Sequence, residues 1–197
     1  VPDCQSIVKK AIVTSLDSVY GMTRFPETGV KYQIEFFLLG DEATLMIDTS
    51  GVPLHKRGYR QHSVEAPIKE TLAAAMIELS FWREDRILAD PCCGSGTIPI
   101  EAAMIGKNIA PGLSRSFASE EWEAIPENLW KEERKKAFNA INNDVQLKIF
   151  GSDINPQAVK AARLNAEEAG VDDCIKFYTA DVSALRTKSE RGVLITN

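Results

Sequence analysis

From Ile87 onward, four short apolar runs alternate with longer segments, and that alternation restricts the fold more than any other feature. The runs are ILAD (87–90), LKIFGSD (147–153), CIKFYTAD (174–181) and GVLITN (192–197). Between the first two lies a helix pattern from about Thr97 to Ile105. Between the second and third, NPQAVKAARLNAEEAG places Asn155 as a cap, Pro156 in the first turn and Gly170 at the end. Strand, helix, strand, helix, strand, connection, strand is the order of an α/β fold, a doubly wound Rossmann-like sheet of parallel strands.

The residues before this alternation read differently. Val8, Ile12, Leu16 and Val19 share one face of a helix running from Asp3 to about Val19, which Gly21 can end. In KYQIEFFLLGDEATLMIDTSG, Tyr32, Ile34, Phe36 and Leu38 alternate with Gln33, Glu35, Phe37 and Leu39, and GDEA turns the chain into a second strand at Thr44 to Asp48. A helix and a hairpin make an α+β piece. Pro67 suits the first turn of a further helix, with Ile68, Leu72, Ala75 and Leu79 as its buried stripe. Residues 107–147 form a polar and aromatic insert with a helix after Pro126. Its Arg115, Phe117, Trp122 and Trp130 read as a lid packed on the domain in preference to an RNA surface.

Composition narrows the function classes. The 197 residues are 44% hydrophobic, enough for a real core, and no run of about 18 apolar residues suggests a membrane span. Nothing resembles an export leader, so a cytoplasmic location is expected. The cysteines Cys4, Cys92, Cys93 and Cys174 contain no CxxC pair and accompany only two histidines, so neither a metal site nor a disulfide framework is expected. Cys92 and Cys93 read as small residues beneath a tight turn. Net charge is −5, and all of the excess lies after residue 62, because residues 1–62 balance seven acids with seven bases. HKRGYR (55–60) carries three of those bases, and Arg57, Tyr59 and Arg60 are candidates for RNA or interdomain contact, or for a structural hinge.

Ligands of doubly wound sheets collect at the carboxyl ends of the strands, where Asp90, Asp153 and Asp181 stand. The first opens DPCCGSGTIPIEAA (90–103), a glycine turn between strand and helix. A P-loop needs a lysine where Ile100 stands, and a dinucleotide fingerprint needs a third glycine where Pro99 stands. With later strand-end acids, D-x-x-x-G-x-G resembles the cofactor site of class I S-adenosylmethionine-dependent methyltransferases. In that reading Gly94 and Gly96 let the backbone approach the methionine part, and the helix start near Thr97 favours its carboxylate. Asp90 suits the ammonium, or orders the turn with Pro91, Cys92 and Ser95. Asp153, beside Asn155, accepts the ribose hydroxyls, and Asp181 accepts the adenine amine, with the backbone amides of Ile154 and Val182 as second contacts.

A closer resemblance follows from DPCCGSGTIPIEAAMIGKNIAPGLSRSFASEEW, from LHKRGYR followed by EAPIKETLAAAM, and from VPDCQSIVKKAI. These are similar to the bacterial family that joins a THUMP RNA-binding domain to a methyltransferase domain and includes the large-subunit ribosomal RNA N2-guanine methyltransferases. Cys92 stands where members usually carry Phe or Met. The resemblance implies that residues 1–62 are the later part of a THUMP-like domain and linker, and that 63–197 are the first half of a methyltransferase domain. It implies S-adenosylmethionine as cofactor and ribosomal RNA as partner. It also implies that Asn197 begins the target-base motif Asn-Pro-Pro-Tyr, whose remaining residues, with three later strands, are expected beyond this sequence. Asn and proline oxygens accept both N–H bonds of an exocyclic amine and turn its lone pair toward the methyl donor. The same geometry serves guanine N2 and adenine N6. Two readings of other classes stay open, a non-catalytic RNA-binding module and a nicotinamide-dependent oxidoreductase with an irregular fingerprint.

Overall fold

The computed structural model describes residues 2–26, 28–62, 67–186, 189 and 191–197. The chain divides into two compact units, Val1–Tyr32 and Gln33–Asn197. The boundary expected at residue 62 adjoins residues 63–66, which lie outside the described residues.

The first unit is built on α1 (Pro2–Tyr20). Val8, Ile12 and Leu16 are half-buried as the spacing predicts, whereas Val19 is exposed at the fraying end. Gly21 then takes a positive φ and donates its N–H to the Asp17 carbonyl, closing the last turn.

The second unit opens with a hairpin of β1 (Gln33–Leu39) and β2 (Glu42–Asp48), registered from Gln33 opposite Asp48 to Leu39 opposite Glu42. Its two-residue loop, Gly40 and Asp41, has φ of 55° and 63°. Paired positive φ is the geometry that matches the twist of the flanking strands, and glycine and aspartate tolerate it. The expected alternation of buried and exposed residues is absent: Phe36 is half-buried, while Ile34, Leu38, Phe37 and Leu39 are all exposed.

The remainder is the α/β fold. After α2 (Glu70–Leu79) come β3 (Leu88–Asp90), α3 (Thr97–Gly106), α4 (Glu127–Asn139), β4 (Ile149–Asp153), α5 (Pro156–Ala169), β5 (Ile175–Thr179) and β6 (Val193–Leu194). All pairings among the last four strands are parallel, in the order β5-β4-β3-β6. The chain steps outward from β3 to β4 to β5, then returns to the opposite side of β3. That reversal places a topological switch point between β3 and β6, where the connections diverge and leave a crevice at the carboxyl ends. Leu88, Ile98, Ile100, Ile149, Ala162, Ala166 and Val171 are all at most 2% exposed and form the core beside the sheet.

Local signals at α5 act as their chemistry dictates. Asn155 accepts the Gln157 N–H at 2.9 Å, Pro156 occupies the first turn, and Gly170 stops the helix in the left-handed conformation. The expectation for α2 is corrected. The helix starts at Glu70, so Pro67 precedes it, and its inward stripe is Glu70, Ala73 and Ile77, with Leu72 and Leu79 exposed. A buried carboxylate, Glu70, marks the inward face, and apolar periodicity alone had no means of finding it. No helix among the described residues is long and apolar enough to cross a membrane.

Candidate functional site

The glycine turn is held from both sides. Asp90, at the end of β3, is 2% exposed and accepts the Cys92 N–H at 3.1 Å. It also bonds the Thr196 side chain, which follows β6, so one carboxylate spans the switch point. Asp153, at the end of β4, accepts the Gly94 N–H at 3.0 Å through one oxygen and the Asn155 N–H at 2.9 Å through the other. Each carboxylate oxygen retains a second acceptor position for a ligand donor.

The two glycines of the turn differ in what requires them. Gly94 and Gly96 both have positive φ, 52° and 85°. A Cβ on Gly96 would sit 2.9 Å from the Cβ of Ala162 on α5 and 3.2 Å from the Phe177 ring. Gly96 therefore lets α3 approach α5, a packing role in addition to the one expected toward a ligand. Gly96 also precedes α3 without any side-chain cap, so the first N–H groups of that helix remain oriented toward the turn.

Two clefts border these residues. The larger, about 360 Å³, is lined by Asp90, Cys92, Gly94, Ser95, Thr97, Asp153, Asn155 and Asn197, with Pro67 and Ile68 on its wall. The smaller, about 220 Å³, is lined by Pro91, Cys92, Asp153, Ile154, Asp181 and Val182. Cys92 and Asp153 belong to both, so the clefts adjoin across the strand ends. The three strand-end aspartates and the tail of β6 are thus brought to one edge.

Neither cleft is lined by lysine or arginine among the described residues. Burial pushes the Asp90 carboxyl up to about 6, and the nearby Asp153 charge adds to the rise, against the Thr196 and Cys92 hydrogen bonds that oppose it. Burial likewise drives the Cys93 thiol well above its ordinary value, which makes it an inert core residue, whereas Cys92 is exposed. The Ser95 hydroxyl oxygen is buried on this turn without a hydrogen-bond partner. Asp181 is exposed and accepts the Ser183 N–H at 2.8 Å, and hydrogen bonding with the Ser183 side chain and backbone holds its carboxyl below the usual range. The site thus offers unneutralised acid at one end and unpaired donors at the other, a match for a ligand carrying both an ammonium and a carboxylate.

Arg57, Tyr59 and Arg60 lie elsewhere, turned inward. The Tyr59 hydroxyl donates to Glu101 at 3.0 Å, Arg57 pairs with Glu101 at 3.5 Å, and Arg60 pairs with Glu70 at 3.1 Å. Burial raises the Tyr59 hydroxyl well above its usual value and also raises Glu101, with Arg57 opposing the latter. These partners favour the structural account of HKRGYR over RNA contact. The insert binds the strap formed by residues 50–62: Arg115 donates to the carbonyls of Ser50, Val52, Pro53 and Lys56 while lying 4.9 Å over the Phe117 ring. Phe117 stacks on Trp130 at 5.5 Å, and Arg134 holds the insert loop through Glu120 at 2.6 Å and three backbone carbonyls. Sequence reasoning also missed Asn165, 0% exposed on α5, whose amide donates to the carbonyls of Ser95 and His62 and accepts the His62 N–H. A lone asparagine inside a helix pattern carried no signal for that role.

Comparison with known proteins decides the family. The model of the RMKL-like methyltransferase domain matches residues 57–197. The chain belongs to that family. The match begins at Arg57, on the strap and ahead of the sheet. "Putative RNA methyltransferase YpsC" of Bacillus subtilis (strain 168) is 51% identical over the whole of this chain and 52% of its own length. "Ribosomal RNA large subunit methyltransferase K/L" of Psychromonas ingrahamii is 42% identical over 80% of this chain and 22% of its own length. The crystal structure of SMU.472 complexed with SAH superposes with a TM-score of 0.90 at 47% identity, covering 100% of this chain and 52% of that one. The chain spans about half the length, or less, of the relatives it matches.

Proposed function

We propose that this chain carries the S-adenosylmethionine-binding part of an RNA methyltransferase that modifies the N2 amine of a guanine in large-subunit ribosomal RNA. The observation that supports it most is the unneutralised pair Asp90 and Asp153, set at the switch point beside the uncapped start of α3. In this reading Asp90 receives the ammonium, and the buried Ser95 hydroxyl with the first N–H groups of α3 receives the carboxylate. The free acceptor positions of Asp153 receive ribose hydroxyls, and Asp181, in the adjoining cleft, receives the adenine amine. When bound, the cofactor supplies an electrophilic methyl group on a sulfonium. The SAH bound by SMU.472 is the demethylated form of that ligand.

For the acceptor, Asn197 lines the same cleft as Asp90. Its side-chain oxygen is placed to accept one N–H of an exocyclic amine and so orient the nitrogen lone pair without a strong base. The ribosomal substrate follows the K/L relative, and guanine N2 rather than adenine N6 is the finer part of the proposal. Residues ahead of the matched domain are proposed to help hold the RNA as part of a THUMP-like unit, in a cytoplasmic protein.

Calorimetry on the intact protein tests the ligand: S-adenosylmethionine binds, NAD does not, and Asp153→Ala weakens the former. Preference for NAD would overturn the reading. Labelled methyl reaching ribosomal RNA from a strain lacking the enzyme, with loss in Asn197→Ala, tests transfer. Binding without transfer would leave a non-catalytic module. Mass spectrometry of the labelled nucleotide separates guanine N2 from adenine N6.

A further inference from the structure

Two side chains outside both clefts, the half-buried Arg60 and the buried Asn165, each have one end on the segment 57–62 and the other on the cleft wall. Arg60 is the first. Its guanidinium donates to the Ile68 carbonyl at 2.6 Å and to the Thr97 hydroxyl at 3.2 Å, and both Ile68 and Thr97 line the larger cleft. The same group lies 3.1 Å from Glu70, an ion pair without hydrogen-bond alignment. Asn165 is the second. Its amide donates to the Ser95 carbonyl at 3.0 Å within the glycine turn and to the His62 carbonyl at 2.7 Å, and it accepts the His62 N–H at 3.0 Å.

The chemistry of the two groups makes these links directional. Asn165 saturates both backbone groups of His62, as a neighbouring strand would, and uses its remaining donor on the turn. At 0% exposure no water replaces a lost bond, so displacement of His62 leaves an unpaired amide directly beneath Ser95. The Arg60 contacts converge on one nitrogen, Nη2, which reaches the Thr97 hydroxyl at the start of α3 and the Ile68 carbonyl together. A lysine keeps the charge opposite Glu70, but its shorter stem and tetrahedral ammonium do not reproduce a planar donor at that position.

We propose that Arg60 and Asn165 are positioning residues that couple the docking of segment 57–62 to occupancy of the cofactor cleft. The proposal rests on the functional reading above for the identity of the ligand. Thermodynamic linkage makes the coupling reciprocal: a docked segment tightens the cleft's grip on its ligand, and the ligand holds the segment down. A purely structural pair of residues would lower stability when changed, yet would give the ligand no influence over the segment.

Hydrogen exchange and calorimetry on the intact protein, with S-adenosylhomocysteine as the probe, separate these accounts. In the wild type, saturating probe slows exchange of the 57–62 amides by about 10-fold. Arg60→Lys melts within a few degrees of wild type, binds the probe about 10-fold more weakly and loses that slowing. Asn165→Ala removes the second link, and if it folds poorly the wild-type exchange measurement still decides. Unchanged exchange in a wild type that binds the probe overturns the coupling and leaves the functional reading intact, as does unchanged affinity in Arg60→Lys. No binding by the wild type overturns both.

Discussion

Two pairs of carboxylates lie under this protein's surface in opposite electrical circumstances. Glu70 and Glu101, 3% and 2% exposed, face Arg60 and Arg57 from the strap, and Tyr59 adds a hydrogen bond to Glu101. Asp90, equally buried, and the half-buried Asp153 face backbone N–H groups and each other. The glutamates are neutralised within the chain, so they act as scaffolding. The aspartates have no counterion within the chain; burial, with a smaller contribution from Asp153, raises Asp90 to about 6 and leaves an edge that a cationic ligand would relieve. Burial alone does not mark a site; burial without a counterion does.

Four experiments press on that contrast. Glu101→Gln should be the most damaging, because Arg57 then loses its counterion; a loss of about 3 kcal/mol in urea unfolding is expected. Asp90→Asn should move the other way. Deleting a carboxylate raised from 3.8 to about 6 should stabilise the ligand-free protein at neutral pH by up to about 3 kcal/mol, while weakening S-adenosylhomocysteine binding by roughly 100-fold. Equal destabilisation by the two substitutions would erase the distinction.

Gly96→Ala sharpens it from the backbone side. A methyl group 2.9 Å from Ala162, on a residue of φ 85°, should cost about 2 kcal/mol of thermal stability and weaken binding in parallel. Asp90→Asn by contrast separates the two readouts. The smallest effect is a titration. The folded Asp90 holds its proton up to about pH 6 and the unfolded one to about 3.8, so the ligand-free fold gains stability from this group as pH falls from about 6 to 4. Ligand affinity should instead fall about tenfold per pH unit below 6, as the proton competes with the ammonium. Calorimetry at pH 7.5 and pH 5 reads the difference.

The readings that succeeded depended on neighbours in the chain. Asn155, Pro156 and Gly170 delimit α5 because caps act on amides two or three residues away. Asp90 and Asp153 stand at the sheet's carboxyl edge because each ends its strand, and Asp181 follows two residues after β5. The stripe of α2 failed because its inward residue is a glutamate, acceptable there only through an arginine ten residues earlier. The packing role of Gly96 was not legible because its neighbour Ala162 is 66 positions along the chain.

The amino-acid sequence by itself determined the alternation of elements, the parallel sheet, the glycine turn and the acids around it, since these follow from periodicity, caps and turns set by adjacent residues. Only the tertiary structure decided which charges are answered. Arg57, Arg60, Tyr59 and Asn165 are polar residues of ordinary local context, and their partners Glu101, Glu70, Thr97 and Ser95 meet them only once the strap lies against α3 and α5. The energy of a buried charge depends on what the fold places beside it, and that is a property of three dimensions.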